Sequence, residues 1–225
     1  MSKYKIVEIF DSIEGEGKRS GQLATFVRTA GCNLRCSYCD TLYALSDCHC
    51  EYTELSSEEI ISRLNPLYRK VTLTGGEPLF HPNIKELISE MCSAGYEVNI
   101  ETNGSIRVAP FRVAGNIFFT IDYKLPCSGM ENRMNKDAFL ELTKEDVVKF
   151  VIGTKEDCDK TTEVVRMLQS RYDDNKMPQI YLSAVSGEMS HADIVTFMKN
   201  HKELSNARIQ LQMHKIIWPD IDKGV

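Results

Sequence analysis

Three cysteines fall within eight residues of this 225-residue chain, in the segment Gly31-Cys32-Asn33-Leu34-Arg35-Cys36-Ser37-Tyr38-Cys39-Asp40-Thr41, a C-x3-C-x2-C array. Thiolates are soft ligands, and a closed tetrahedral zinc site or a fully Cys-ligated cluster takes four of them. A compact trio therefore borrows a distant ligand, with Cys48, His49 or Cys50 nearest in sequence, or leaves one coordination position open to a substrate or cofactor. A second segment, Leu73-Thr74-Gly75-Gly76-Glu77-Pro78, combines paired glycines that allow close backbone approach, an acidic side chain, and a proline that stiffens the turn. Free thiols and a plain turn are the simpler readings of each segment alone. Their occurrence together points to chemistry.

The elements that must position these residues follow from periodicity. Runs rich in β-branched and aromatic residues at 23–28, 70–73, 97–101, 117–121, 147–152, 180–185 and 208–212 read as strands. Ile84, Leu87, Ile88 and Met91 recur at helical spacing after Pro82, and Gly95 sits where a C-terminal cap belongs. Ser56 with Glu59 forms a capping-box signature opening a helix over 56–64. Val164, Val165 and Leu168, then Ile194, Phe197 and Met198, mark two more helices. Strand and helix alternate, which predicts an α/β protein with a largely parallel sheet, either open and doubly wound or a complete or partial barrel. Both place the site at the C-terminal ends of the strands. No repeat or low-complexity linker divides the chain, so residues 1–225 are expected to form one domain.

Composition narrows the setting. The charge balance, 27 Lys plus Arg against 32 Asp plus Glu, is −5, with no basic run to track a nucleic-acid backbone. Acidic residues break the N-terminal stretch before a signal-like apolar run can form, and no run approaches a membrane span, so a cytoplasmic protein is expected. In that compartment eight cysteines argue for metal binding or reactivity over disulfides. Cys48, Cys50, Cys92, Cys127 and Cys158 lack a comparable array and read as packed thiols.

The linked cysteine and Gly-Gly-Glu-Pro motifs resemble those of the radical S-adenosylmethionine superfamily. The resemblance implies that Cys32, Cys36 and Cys39 hold a [4Fe-4S] cluster. It further implies that S-adenosylmethionine chelates the fourth iron and that the Gly-Gly-Glu-Pro segment helps to hold the methionine amine. Further segments narrow this to a resemblance to the 7-carboxy-7-deazaguanine synthase family over most of the chain. They are Phe10-Asp11-Ser12-Ile13-Glu14-Gly15-Glu16-Gly17, Phe26-Val27-Arg28-Thr29-Ala30-Gly31-Cys32, Asp40-Thr41, Asp122-Tyr123-Lys124-Leu125-Pro126, Ser128-Gly129-Met130, and His214-Lys215 with Trp218.

That resemblance implies a partial TIM-like β/α barrel with a reduced core. The implied reaction converts 6-carboxy-5,6,7,8-tetrahydropterin into 7-carboxy-7-deazaguanine, on the route to queuosine and other deazapurines. A 5′-deoxyadenosyl radical takes a hydrogen from C6, the ring contracts, the hydrogen returns and ammonia leaves. Tyr38, Cys39, Asp40, Gly76 and the Asp122, Tyr123, Lys124 segment would border S-adenosylmethionine. Ile13, Glu14, Gly15, Arg28 and Thr74 would meet the pterin, Arg28 by forking onto its carboxylate. Thr41 would ligate Mg2+ shared with substrate oxygens. His214 and the C-terminal carboxylate are further pocket candidates. An electron donor such as flavodoxin or ferredoxin and a homodimer are also implied.

This chain departs from the family pattern at Glu14, where glutamine is frequent, and at Asp122, where some relatives carry serine. Two other readings stay open at this point. One is a different radical S-adenosylmethionine enzyme, such as a glycyl-radical activase, which leaves the Glu-Gly-Glu-Gly segment and Arg28 unexplained. The other is a non-catalytic iron–sulfur or zinc module.

Overall fold

The computed structural model describes residues 2–45, 50–173, 175–221 and 223–225. Among the described residues nine strands form one sheet: β1 (Tyr4–Ile13), β2 (Leu23–Thr29), β3 (Thr53–Leu55), β4 (Lys70–Gly75), β5 (Glu97–Thr102), β6 (Ile117–Tyr123), β7 (Val147–Ile152), β8 (Gln179–Ala184) and β9 (Arg208–Ile209). Their order is β3-β1-β2-β4-β5-β6-β7-β8-β9. From β2 to β9 every neighbouring pair is parallel, while β1 joins β2 and β3 antiparallel. The helices are α1 (Ser57–Ile61), α2 (Ile84–Ser93), α3 (Lys136–Leu140), α4 (Lys155–Arg171), α5 (His191–Lys199) and α6 (Met213–Ile217). None is long and apolar enough, among the described residues, to cross a membrane.

Alternation along the strands divides the two faces of the sheet. Val71, Leu73, Val98, Ile100, Phe119, Ile121, Val148, Phe150 and Ile152 pack in one apolar core with Leu87, Ile88, Met91, Val164, Val165 and Leu168 of the helices. The opposite positions, Thr72, Thr74, Asn99, Glu101, Thr120, Asp122 and Lys149, are polar and face a common interior, as hydrogen bonds and ion pairs among them show.

β3 and β9 end the sheet without meeting, so the barrel is partial. Segments outside the ladder span the gap. The Gly17 N–H donates to Gln210 Oε1 at 2.5 Å, the Met213 N–H donates to the Gly15 carbonyl at 3.2 Å, and Glu16 pairs with Lys149. Gly15 lets the His214 ring pack directly on this turn, because a Cβ there would lie 2.5 Å from His214 Nδ1 and push the ring away.

The capping box opening α1 is present in both directions, and Gly95 ends α2 at φ 86°. Two expectations change. The strand expected over 208–212 is only Arg208–Ile209, because it is the outermost strand and Gln212 already caps α6. The ten-residue β1 was not anticipated, because charges and a register shift between Ile6 and Glu8 interrupt its alternation.

Candidate active site

A cavity of about 540 Å³ opens at the C-terminal ends of the parallel strands, within the usual range for a small-molecule site. Cys32, Cys36 and Cys39 all line it, carried by the loop after β2. That loop is held from two sides. The Glu77 N–H donates to the Gly31 carbonyl at 2.9 Å, and Ser37 donates through its N–H to the Ser128 carbonyl at 3.1 Å and through its hydroxyl to the Cys127 carbonyl at 2.7 Å. A Cβ on Gly76 would overlap the Gly31 carbonyl, so the glycine lets the loop after β4 lie directly on the cysteine loop. Burial pushes the Cys32 and Cys36 thiols up from their ordinary range.

Among the described residues no three His, Cys, Asp or Glu side chains converge closely enough to share one metal ion. A polynuclear cluster places each thiolate on a different iron, so its ligands need not converge. Of the cysteines considered as a fourth zinc ligand, Cys50 does not line the cavity; Cys48 and His49 lie outside the described residues. Cys92, Cys127 and Cys158 also sit away from the cavity wall.

The wall brings together most of the residues singled out above. Tyr38, Asp40, Thr41, Gly76, Asp122, Lys124, Ile13, Gly15, Arg28 and Thr74 all line it, as do His214 and the terminal Val225. Arg28 bonds Glu8 through Nε at 2.6 Å, an engagement that leaves its terminal amino groups to a carboxylate. Thr41 donates to Asp40 Oδ1 at 2.9 Å. Tyr38 Oη on the wall is buried without a hydrogen-bond partner, and Asp122 Oδ1 has only the Lys149 ammonium 3.6 Å away. Buried polar atoms are rarely left so unless a ligand or water completes them.

Three side chains differ from expectation. Tyr123 faces outward, its ring packed on Phe139 and Phe150 at centroid distances of 5.1 and 5.8 Å, because strand alternation sends Asp122 inward and its neighbour out. Glu77 does not reach the cavity. Its carboxylate accepts from the Leu79 N–H at 3.0 Å, the Thr102 hydroxyl at 2.8 Å and the Asn103 N–H at 2.6 Å, bracing the loop after β5. Glu14 turns below the cavity, where it accepts from Thr72 and from Asn99 Nδ2. The neighbouring Glu16 takes the wall position instead.

Sequence reading missed a buried charge network under the cavity. Lys149 contacts Glu16 and lies 3.6 Å from Asp122, Lys124 lies 3.3 Å from Asp122, and Thr74 donates to Glu101 at 2.8 Å. Burial works against charge on Asp122, yet Lys124 and Lys149 hold its carboxyl below the usual range. The signal was present as polar residues at alternate positions of otherwise apolar strands. It becomes meaningful once those positions share one interior.

Burial, reinforced by the nearby Glu101 carboxylate, pushes Glu14 up to about 7. A carboxyl raised above its unfolded value contributes stability fully below the unfolded pKa and loses it as pH rises through the folded one. Glu14→Gln keeps an oxygen for Thr72 and Asn99 and removes that loss. The variant is expected to match the parent chain at pH 5 and to exceed it by on the order of 2 kcal/mol at pH 8. Urea unfolding at both pH values checks this, and equal stability at pH 8 would refute it.

Residues 26–171 match the Radical SAM superfamily. Over 99% of both chains this sequence is 44% identical to the 7-carboxy-7-deazaguanine synthase of Clostridium acetobutylicum. It is 35% identical to that of Methanospirillum hungatei over 96% of this chain and 86% of the relative. The crystal structure of QueE from Escherichia coli superposes with a TM-score of 0.71 at 27% identity, covering 94% of this chain and 95% of that one. The likeness thus extends along the whole length, and the chain belongs to the 7-carboxy-7-deazaguanine synthase family of the radical S-adenosylmethionine superfamily.

Proposed function

We infer that the chain catalyses the ring contraction of 6-carboxy-5,6,7,8-tetrahydropterin to 7-carboxy-7-deazaguanine with loss of ammonia. The observation that carries this reading is the joint lining of one cavity by Cys32, Cys36, Cys39 and Arg28, which sets a cluster site within reach of a carboxylate-binding guanidinium. Cys32, Cys36 and Cys39 would hold the [4Fe-4S] cluster, with S-adenosylmethionine against Tyr38, Asp40, Gly76, Asp122 and Lys124. When bound, these cofactors supply one-electron chemistry that lets a hydrogen be taken from a substrate carbon and later returned.

The chain's own residues bind, orient and seclude. Arg28, held by Glu8, presents a planar donor fork to the pterin carboxylate. Glu16 and Glu101 supply buried acceptors for pterin N–H groups, a role that their place on the cavity wall favours over Glu14. Lys124 pairs with Asp122 and keeps that carboxylate ionised where a polar cofactor would meet it. Tyr123 would contribute through its backbone alone. Leu34, Leu45, Phe26 and Val151 give the wall its apolar part, which limits water around reactive species.

Thr41 would ligate Mg2+ together with substrate oxygens and waters, as one hydroxyl is a poor magnesium site alone. Thr41→Ala is therefore expected to raise the magnesium concentration needed for half-maximal turnover by roughly tenfold, the effect of about 1.4 kcal/mol of lost ligation. Unchanged magnesium dependence would remove Thr41 from that role. A cytoplasmic location, a homodimer that helps to cover the cavity, an external flavodoxin or ferredoxin, and one domain over 1–225 complete the proposal.

The deciding experiment is anaerobic reconstitution with iron and sulfide, followed by reductant, S-adenosylmethionine, Mg2+ and the carboxytetrahydropterin, with products read by mass spectrometry. Formation of 7-carboxy-7-deazaguanine is expected. Cleavage of S-adenosylmethionine without that product sinks the substrate assignment, and no cleavage by cluster-loaded protein sinks the reaction.

A further inference from the structure

Cys32 is surrounded by donors. Its Sγ accepts from the Leu34 N–H at 3.4 Å and from Asn103 Nδ2 at 3.7 Å. The orientation of the Asn103 amide is fixed by its other bonds. Oδ1 accepts from the Ser105 N–H at 3.0 Å and the Ser105 hydroxyl at 2.6 Å, while Nδ2 also donates to Asn33 Oδ1 at 3.0 Å. A flipped amide would lose both Ser105 bonds and set oxygen against oxygen at Asn33. The Asn103 backbone is pinned in turn by Glu77, the acidic residue of the Gly-Gly-Glu-Pro segment, which also holds Thr102. Asn103 is largely buried in the cavity wall, which limits competition from solvent for its amide.

We propose that Asn103, oriented by Ser105 and Glu77, raises the reduction potential of the [4Fe-4S] cluster through an N–H···S hydrogen bond to the Cys32 thiolate. An electron entering the cluster increases the negative charge on its sulfurs, so a donor aimed at one of them stabilises the reduced form more than the oxidised form. Asn103 is thus a positioning and tuning residue that acts through Cys32. Glu77 serves the cofactor at one remove, by fixing the strand end that carries the amide. The inference rests on Cys32 being a cluster ligand, as set out above.

The test is a redox titration of the reconstituted full-length protein, with dithionite as electron source and the reduced cluster followed by EPR. Asn103→Ala deletes the donor. Asn103→Asp keeps the shape and the acceptor for Ser105 but replaces the donor with an anionic oxygen. At a fixed solution potential the reduced-to-oxidised ratio is expected to fall about tenfold in the alanine variant, ~59 mV for a one-electron couple, and further in the aspartate variant. An unchanged potential in Asn103→Ala with full iron content overturns the proposal.

If neither variant retains a cluster, the parent protein decides. With asparagine side-chain amides labelled with 15N, pulsed EPR of the reduced cluster is expected to show a nitrogen coupling, and its absence overturns the proposal. Failure of the underlying ligand assignment looks different, because Cys32→Ala protein would then keep its full iron content and cluster spectrum.

Discussion

Replacing Lys149 with methionine is expected to destabilise the folded chain by about 3–5 kcal/mol at pH 8, measured as a lower urea midpoint at an unchanged m-value. Lys149 is the cation that Glu16, Asp122 and Glu101 share beneath the cavity. Its removal strands carboxylates that burial already disfavours. Lys124 remains beside Asp122 but does not pair with Glu16.

The pH dependence follows from sign. Without Lys149 the folded-state pKa values of Asp122 and Glu101 rise, and stability tied to a raised carboxyl is retained at low pH and lost as pH increases through that value. The deficit should therefore shrink as pH falls from 8 toward 5. Adding Glu16→Gln to the methionine variant should restore part of the loss, since the two sites are directly coupled. A midpoint unchanged by Lys149→Met would show that the network contributes nothing to folding.

Alanine at Cys32, Cys36 or Cys39 is expected to eliminate the iron–sulfur absorbance and cut product formation by on the order of 10³-fold or more, since no protein group can replace the cofactor's chemistry. Cys50→Ala, Cys92→Ala, Cys127→Ala and Cys158→Ala should retain the cluster, as none of these residues lines the cavity. Iron and sulfide analysis beside turnover checks both halves. Loss of cluster in any of the second group, with folding intact, would mean that the ligand set is drawn too narrowly.

Much of the fold was legible because local chemistry and final environment agree. The helix around Ile84, Leu87, Ile88 and Met91 has one apolar stripe, and all four side chains are buried in the core. The strands at β4 to β7 were visible for the same reason. β1 was not, because its charged residues serve the site: Glu8 holds Arg28, and the turn after Ile13 carries Glu16 to Lys149. A strand built to deliver polar groups loses the alternation by which strands are read.

For the site, the sequence by itself pointed to the family and named the candidate carriers of its chemistry. Three thiols at fixed short spacing and a glycine-paired turn are properties of the chain itself, and they carry the resemblance to the family independently of any tertiary contact. Only the tertiary structure decided which side chains face the cavity. It gave the wall to Glu16 rather than Glu14, turned Tyr123 outward while Asp122 points in, and made Glu77 a brace for Asn103. The physical reason is that ligand chemistry depends on residue type and local spacing. Which way a side chain points, and which charges share an interior, depends instead on strand register and on partners tens of residues away, such as Lys149 with Glu16 and Asn103 with Cys32.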